Sequence, residues 1–270
     1  MPHAPPTPLF GERALHLPAD DALVVGDLHV GLEAELREAG IHLPSQSWRM
    51  RARLDKLLKA AGAQKLIVLG DLKHAIPTAT RDEHMDLPAF FDGLDAEVHL
   101  VRGNHDVDLD VLPPEVVVHA ADGMRLGAVG LVHGHTWPAD DVMAAPLVVM
   151  CHNHPMVLLK DELGHRHKEA CWIRAALTDA ARARYPRLPL DATLVVMPAF
   201  NELLGGVAFN GPDRPLGPIF ANGLADLEAA RVWTLDGVDL GSVADLRAWG
   251  DARGEDASRP RRRRRARGRR

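Results

Sequence analysis

The chain has 270 residues with a net charge of −5, and 46% of its residues are hydrophobic and 26% charged. This composition excludes a collagen-like, a disulfide-stapled or a wholly disordered protein, and it predicts a soluble globular fold with a buried core. No run approaches the roughly 18 apolar residues of a membrane-spanning helix, so we expect no membrane partner.

The first half of the sequence alternates apolar runs with helical patterns. Three short runs predict buried strands: 22–26, 65–70 and 96–101. Between them, a capping serine at Ser45 and apolar residues at helical spacing predict a helix over 45–63. Residues 81–94 predict a second helix, broken at Pro88. Strands that alternate with helices indicate right-handed crossovers and a parallel sheet.

The second half is richer in predicted strands. Six short runs are apolar or alternate in polarity: 116–119, 128–133, 147–151, 156–160, 169–173 and 193–197. Their close spacing favours antiparallel hairpins and meanders. Residues 224–230 and 242–249 are helical candidates. Because there is no internal repeat and no linker before about residue 250, we predict one domain over 1–250.

Polar residues follow five of the predicted strands, at the point where each strand ends. They are Asp27-Leu28-His29, Gly70-Asp71, Gly103-Asn104-His105-Asp106, His133, and His152-Asn153-His154. Ligands of open α/β sheets bind beyond the carboxyl ends of the strands, so we expect these side chains to converge. Asp27 and His29 are two residues apart, so in an extended segment both would point to the same side.

These residue types predict a site for two divalent ions. Imidazole and carboxylate ligands without a thiolate favour manganese, iron, zinc or nickel over a structural cysteine-type zinc site. Manganese is our first expectation for this pair of ions. Asp71 stands alone after its strand, and its two oxygens suit it to bridge them. Two ions about 3.5–4 Å apart can activate a bridging water and stabilise an in-line displacement.

The ordered motifs resemble those of the calcineurin-like metallophosphoesterases, which carry D-x-H, G-D, G-N-H-D/E, a lone His and G-H-x-H. The resemblance extends over about residues 20–210. Four segments, GDLHVG, VLGDLKH, VRGNHD and PAFNELLGG, are most similar to the prokaryotic branch related to SbcD-type DNA-repair nucleases, the ICC-like phosphoesterases. The family resemblance implies an α/β (mixed α+β) fold, a four-layer sandwich of two mixed β-sheets flanked by helices.

The resemblance also implies a role for each motif residue. The first metal would be held by Asp27, His29, Asp71 and His154, and the second by Asp71, Asn104, His133 and His152. His105 would contact the phosphate and protonate the leaving oxygen, with Asp106 orienting its ring. A hydroxide between the two metals would be the nucleophile.

Two positions depart from the family pattern. Cys151 stands where the last motif usually has glycine, which would crowd the His152 loop and place a thiol beside the metals as an extra ligand or oxidation point. His135 follows His133 by two residues and is an alternative to it. We favour His133, because it directly follows an apolar strand.

We therefore expect a metal-dependent hydrolase that cleaves phosphodiesters of the nucleotide or nucleic-acid type. The alternatives are a DNA-repair-associated nuclease, and a non-catalytic scaffold on a phosphoesterase fold. The first ten residues contain four prolines and no basic segment, unlike a secretory signal. The chain has only two cysteines, so we predict a cytoplasmic protein.

The end of the chain differs in charge from the rest. Residues 259–270 hold nine arginines and no acid, whereas the remainder is acidic. This composition cannot bury enough apolar surface to fold, so we predict a disordered tail over 251–270. Blocks of basic residues often act as interaction arms, so nucleic acid is a possible partner of the tail. The alternatives are that the tail folds back on the acidic remainder, keeps the protein soluble or has no selected role.

Overall fold

Six strands form the first sheet, sheet A, in an order that follows the chain. In the computed structural model, which describes residues 5–161 and 163–249, these strands are β1 (Thr7–Pro8), β2 (Leu15–Leu17), β3 (Ala22–Val25), β4 (Lys65–Val68), β5 (Glu97–Val101) and β6 (Val117–His119). Strands β3 to β6 are parallel. Strand β2 pairs with β3, and β1 pairs with β2, both in antiparallel fashion. The predicted parallel sheet is confirmed.

Three helices lie in the connections of sheet A: α1 (Leu32–Glu38), α2 (Ser47–Ala61) and α3 (Arg81–Phe91). The predicted position of the cap at Ser45 is wrong, because the helix begins two residues later and Gln46 is its N-cap. The Ser45 hydroxyl still accepts from the amide of Ser47 at 3.2 Å, and it donates to the carboxylate of Asp86. The predicted break at Pro88 is also wrong. Helix α3 continues through it because Leu87 and Phe90 are buried beneath the helix, which offsets the backbone hydrogen bond that proline cannot make.

The second sheet, sheet B, contains the remaining strands of the described residues. In spatial order its main path is β14 (Asp239–Ser242), β13 (Arg231–Thr234), β11 (Arg166–Ala176), β12 (Thr193–Val196), β9 (Leu147–Met150), β8 (Val129–Leu131) and β7 (Met124–Leu126), and β10 (Met156–Lys160) pairs with β11. Strand β9 is parallel to both of its neighbours, β8 and β12. Residues 132–146, which include α4 (Asp140–Met143), return the chain to the starting end of the sheet before β9. The expected antiparallel arrangement is therefore right only in part.

The remaining helices are short: α5 (Asp179–Arg184), α6 (Pro218–Ala221) and residues 243–249. The last of these agrees with the helix predicted over 242–249. The helix predicted over 224–230 is wrong, because Ala225 forms an isolated bridge with Leu177 and its neighbour Leu224 is buried in an irregular segment.

Apolar side chains fill three layers, one between the sheets and one on the helical side of each sheet. The layer between the sheets joins Val24 and Ile67 of sheet A to Val149 of sheet B. The other two pack the helices against the outer faces. The predicted α/β sandwich of two mixed sheets flanked by helices is thus confirmed. The predicted tail at 251–270 lies outside the described residues.

Candidate metal centre

Five loops meet where the two sheets come together, and each follows a buried strand. The loops after β3, β4 and β5 belong to sheet A, and those after β8 and β9 to sheet B. Together they carry all nine predicted site residues: Asp27, His29, Asp71, Asn104, His105, Asp106, His133, His152 and His154. The backbone amide of His152 donates to the Asp27 carboxylate, 3.1 Å away, and so links the loops of the two sheets.

The predicted ligands form two adjacent groups, which overlap with two others: one joins Cys151 to Asp27 and His133, and one joins His29 to His74 and His105. In each, three residues place one ligand atom within 4.8 Å of the others: Asp27, His29 and His154 in the first group, and Asp71, His133 and His152 in the second. Asp71 lies between the groups, because its Oδ2 is 3.4 Å from Nε2 of His29 and 3.3 Å from Nε2 of His133. One carboxylate therefore faces both groups.

Contacts of 3.2–3.5 Å between the side chains complete each group. Nε2 of His154 is 3.5 Å from Oδ1 of Asp27. Nε2 of His133 is 3.2 Å from Nδ1 of His152 and 3.2 Å from the amide oxygen of Asn104. Asn104 thus brings a neutral oxygen to the second group, as the sequence predicts.

Backbone conformation aims these side chains at the centre. Positive φ angles occur at Asp27 (54°), His29 (43°), Asp71 (50°), His152 (67°) and His154 (44°). Among the other non-glycine residues that the structure describes, only Asp21 has a positive φ. The expected extended segment at 27–29 is therefore wrong. Left-handed backbone is uncommon for histidine and stores roughly 1–3 kcal/mol at each position, which is typical of functional loops.

The residues present fit divalent metal ions. Their donors are carboxylate oxygens, imidazole nitrogens and one amide oxygen, the ligands preferred by manganese, iron, zinc and nickel. Nε2 of His29 is buried and has no hydrogen-bond partner among the described residues, although Asp71 lies close by. A buried nitrogen without a partner is rare, and a metal ion would satisfy it.

Two glycines let the loops approach this closely. A Cβ added at Gly103 would lie 2.1 Å from Oδ1 of Asp71, and one added at Gly70, where φ is 82°, would lie 2.3 Å from Nδ1 of His133. A side chain at either position would displace a predicted ligand. The glycines of the G-D and G-N-H-D motifs are therefore explained by the space that the ligands occupy.

The two carboxylates are held in their charged form by nearby imidazoles. Burial acts to raise the pKa of Asp27, but attraction to His154 outweighs it and the pKa lies below its ordinary value. Burial acts on Asp71 in the same way, but the nearby imidazoles of His133 and His29 outweigh it and lower its pKa well below the usual range. Both groups are therefore anionic at neutral pH.

The imidazoles of the site differ in the direction in which their pKa is shifted. Burial acts to lower the pKa of His133, but Asp71 and Asp27 outweigh it and raise that pKa to about 9. The pKa of His154 is raised in the same way, by Asp27 acting against burial. Burial and the charge of His133 lower the pKa of His152 to about 4.

We expect metal binding to release protons at pH 7. His133 and His154 carry raised pKa values in the metal-free protein, and each must lose its proton to bind a metal. Metal affinity should therefore fall as the pH is lowered from 8 to 6. Calorimetric titration with Mn²⁺ in buffers of different ionisation enthalpy measures the protons released. The exposed His165→Asn variant should release the same number, and heats independent of the buffer would contradict the expectation.

His105 is held beside the two groups by backbone contacts. Its amide donates to Oδ1 of Asp71 at 2.9 Å, and Nδ1 of its ring donates to the carbonyl of His74. Its ring centroid is 4.6 Å from that of His29. The tautomer with hydrogen on Nδ1 leaves Nε2 as the nitrogen available to a substrate.

The hydrogen bonds of Asp106 go to backbone amides, and its predicted role in orienting the ring of His105 stays a prediction. Its Oδ2 accepts from the amide of Gly103 at 2.8 Å, and its Oδ1 accepts from the amide of Leu72 at 3.0 Å. This buried carboxylate ties the loop after β5 to the loop after β4.

The sequence of this region matches a known family model, that of the calcineurin-like phosphoesterases, over residues 22–177. The chain belongs to the calcineurin-like phosphoesterase family. It is therefore a hydrolase that acts on ester bonds. Members of the family typically bind two divalent metals, and the matched range contains all nine predicted site residues. A comparison with curated protein sequences found no match.

Solved structures that are similar to this phosphoesterase include a nuclease and a phosphoesterase. The nuclease MPE of Pseudomonas putida has a TM-score of 0.55 and 23% sequence identity, over 87% of this chain and 99% of that chain. The phosphoesterase YfcE of E. coli has a TM-score of 0.36 and 18% identity, over 83% of this chain and 98% of that chain. The first of these supports the fold described above.

His74 joins the site of this phosphoesterase through contacts that no motif of the sequence signals. Nδ1 of His74 is 3.0 Å from Nδ1 of His29, and its Nε2 is 2.6 Å from Oε2 of Glu35. Its carbonyl holds the ring of His105. Because Glu35 and His74 are 39 positions apart, no local pattern signals their contact.

Glu83 fixes the segment that presents His74. Its buried carboxylate accepts from the amides of His74 at 2.8 Å, Ala75 at 2.7 Å and Thr80 at 2.6 Å. Thr80 and Glu83 also form the capping box of α3. The T-x-x-E pattern is a known helix-start signal, so the sequence contained the evidence for this contact.

We expect Glu83→Gln to lower the free energy of unfolding by about 1–3 kcal/mol. The glutamine amide offers one acceptor oxygen in place of two and faces buried amides that then lack a partner. Urea unfolding of the variant measures the loss. Asp82→Asn, in the same helical turn, is the matched control. Asp82 is half-buried and its ion pair is with Arg37 near the surface, so this change should alter stability by about 1 kcal/mol or less. Equal losses for the two variants would refute the expectation.

Cys151 is accommodated without crowding the neighbouring loop. Its Sγ donates to the carbonyl of Leu69 at 2.7 Å, in space left by Gly26, where an added Cβ would lie 2.3 Å from the sulfur. Burial and the nearby Asp27 raise its pKa well above the ordinary value, so the thiol stays protonated. His135 lies outside both ligand groups, with its ring centroid 5.3 Å from that of His133.

Proposed function

We propose that this chain hydrolyses phosphodiesters of the nucleotide or nucleic-acid type. We propose manganese for both metal sites, with iron, zinc or nickel as alternatives. The observation that carries the proposal is the single Asp71 carboxylate facing two ligand groups, with His105 held against it. The motif similarity to ICC-like, SbcD-related phosphoesterases supports the same substrate class. We also propose a cytoplasmic location and a domain over 1–250.

The proposed ligands are those that the motifs imply. Asp27, His29, Asp71 and His154 hold the first metal, and Asp71, Asn104, His133 and His152 hold the second. The grouping of their ligand atoms within 4.8 Å supports this assignment. Mutual hydrogen bonds and backbone strain set the side chains in place before any metal arrives, which favours tight and specific binding.

In the proposed mechanism the bound metals supply Lewis acidity, which makes water nucleophilic near neutral pH and stabilises charge on the phosphoryl oxygens. His105 in its imidazolium form donates the Nε2 proton to the leaving oxygen, while Nδ1–H stays hydrogen-bonded to the carbonyl of His74 and keeps the ring in place. Asp71 accepts from the amide of His105 and so positions the acid relative to the ligand groups.

A metal-reconstitution assay tests the proposal. Metal-free protein supplied with Mn²⁺ should hydrolyse bis-p-nitrophenyl phosphate, and should do so faster than p-nitrophenyl phosphate at equal concentration. Faster cleavage of the monoester would refute the diester preference. If manganese, iron, zinc and nickel all leave both esters intact, the non-catalytic scaffold becomes the better account.

A nuclease of DNA repair is the second candidate function. The nine arginines of residues 259–270 can neutralise phosphates of a nucleic acid, and the solved structure with the same fold, MPE, is a nuclease. Deletion of residues 259–270 should weaken binding to DNA or RNA and flatten its salt dependence. Turnover of bis-p-nitrophenyl phosphate by the truncated protein is the internal reference. Equal nucleic-acid affinity of the full and truncated chains at low salt would refute a tethering role.

A further inference from the structure

The loops that carry His29 and His74 run side by side beyond the ends of β3 and β4. Val30 and Lys73 form an isolated parallel bridge, and the amide of His74 donates to the carbonyl of Val30 at 3.0 Å. The amide of His29 donates to the carbonyl of Asp71 at 2.9 Å. These backbone contacts bring the two imidazole rings together, with their centroids 5.2 Å apart.

Both ring nitrogens of His74 are engaged. Its Nδ1 is 3.0 Å from Nδ1 of His29, and its Nε2 is 2.6 Å from Oε2 of Glu35. Glu35 lies in the first turn of α1, the helix that follows the His29 loop. The three side chains therefore form an unbroken series of contacts from a carboxylate that is 67% exposed to a buried proposed ligand.

Hydrogens can be arranged along this series in only one way that leaves a nitrogen of His29 free for a metal. An ionised carboxylate only accepts, so Nε2 of His74 carries the hydrogen that faces Glu35. Nδ1 of a neutral His74 is then an acceptor, and Nδ1 of His29 donates to it. The other nitrogen of His29, Nε2, is left with a bare lone pair.

The surroundings of Nε2 of His29 agree with this arrangement. Oδ2 of Asp71 is 3.4 Å from this nitrogen, yet the nitrogen is buried and has no hydrogen-bond partner among the residues that the structure describes. A nitrogen that carried a hydrogen would be expected to donate it to so close a carboxylate. A bare nitrogen beside an anionic oxygen is an arrangement that a cation stabilises.

We propose that His74 is a positioning residue for the first metal, and that Glu35 fixes the tautomer in which it acts. This inference rests on the assignment of His29 as a ligand in the proposed function. A metal-binding histidine commonly donates its second ring hydrogen to a carboxylate or a carbonyl, which orients the ring and strengthens it as a ligand. Here a second imidazole stands between the ligand and the carboxylate.

The imidazoles of His29, His74 and His105 are also close enough to hold an ion of their own. The contacts favour the positioning role, because His74 uses one nitrogen for His29 and the other for Glu35. Nδ1 of His105 is likewise held by the carbonyl of His74. A third bound metal is therefore an outcome that the test must be able to reveal.

The ring of His74 can be tested separately from its backbone. The amide is held by Glu83 and the carbonyl holds His105, and neither contact uses the ring. His74→Leu removes both ring nitrogens. His74→Asn has nearly the size of leucine but carries an oxygen bonded to Cγ, as Nδ1 is in histidine, and this oxygen can accept from His29. The pair of variants therefore differs in the acceptor alone.

Titration of the metal-free proteins with Mn²⁺ gives the affinity of each site. The natural sequence should bind two ions, and His74→Leu should weaken one site by about 10- to 100-fold while leaving the other nearly unchanged. His74→Asn should recover most of this loss. Glu35→Ala should weaken the same site by a smaller factor, because water can replace an exposed acceptor. Glu38→Ala, an exposed position of the same helix, should match the natural sequence.

Nuclear magnetic resonance of the Zn²⁺-loaded proteins tests the hydrogen itself. The Nδ1 hydrogen of His29 should exchange slowly with water in the natural sequence and in His74→Asn, because it is buried and has an acceptor. It should exchange rapidly in His74→Leu. A role in packing alone would not distinguish the asparagine from the leucine.

Three results would overturn the proposal, and thermal melting verifies that each variant is folded. Equal weakening of both sites in His74→Leu and His74→Asn would show that the ring only fills space. Unchanged affinities in both variants would show that the contact has no effect on His29. A third ion that the natural sequence binds and His74→Asn loses would make His74 a ligand.

Turnover of bis-p-nitrophenyl phosphate by the natural sequence keeps this test separate from that of the proposed function. If one of two sites depends on His74 as expected but the ester is not cleaved, the catalytic proposal fails and the positioning role stands. If the ester is cleaved and all variants bind Mn²⁺ equally, the positioning role fails and the phosphodiesterase stands. If the natural sequence binds no divalent ion, both fail.

Discussion

Asp71→Ala should abolish phosphodiester hydrolysis and release one or both metal ions. The Asp71 carboxylate is the one that faces His29 in the first group and His133 in the second. Alanine removes an anionic ligand from both groups at once and leaves mutually repelling imidazoles around a smaller negative charge. The expected loss of activity is complete, because neither group retains its proposed set of ligands.

Elemental analysis of the purified variant, together with its bis-p-nitrophenyl phosphate turnover, measures both parts of this expectation. Asp141→Ala removes an exposed aspartate in the first turn of α4 and is the control, with unchanged metal content and rate. A variant at position 71 that retains two metals and measurable turnover would show that Asp71 is not the shared ligand.

His105→Ala should instead retain its metals while kcat falls by about 10²–10⁴, the usual contribution of a general acid. The ring lies against His29 and is held by the carbonyl of His74, so its removal leaves the ligand atoms of both groups in place. A poor leaving group needs the proton more than a good one does. The loss should therefore be larger for a dinucleotide, which expels an alkoxide, than for a nitrophenyl ester.

Two measurements separate this role from a structural one. Metal content should equal that of the natural sequence, and the dependence of kcat on the leaving-group pKa should become steeper in the variant. If His105→Ala loses its metals as fully as Asp71→Ala does, the two residues do not have the separate roles proposed. A uniform loss across all leaving groups would count against acid catalysis by His105.

The sequence predicts the strands and the motif residues of this fold well, because both depend on local patterns. Runs of apolar residues mark β3, β4 and β5, and the polar residues just beyond them reach the centre because parallel strands end at one edge of a sheet. Each motif of glycine and polar residues after a strand can be recognised from a few neighbouring positions. The order of these motifs along the chain is what resembles the family.

Contacts between distant parts of the chain were not predictable in this way. The helix around Pro88 persists because of apolar burial, and the strands β8, β9 and β12 are parallel because of where the intervening chain runs. Asp106 and Glu83 use their carboxylates to bind backbone amides of neighbouring loops. A sequence gives the identity of such a residue but not the partner that its side chain meets.

The left-handed backbone at the proposed ligands has a consequence for how this protein can change. Glycine would relieve the strain at Asp27, His29, Asp71, His152 or His154 but remove a ligand, so stability and chemistry are opposed at all five. If catalysis were no longer required, substitutions at these five positions would give the largest gains in stability. Selection for thermal stability alone would therefore favour loss of the proposed metal ligands. A screen for stabilised variants of this protein must also measure turnover.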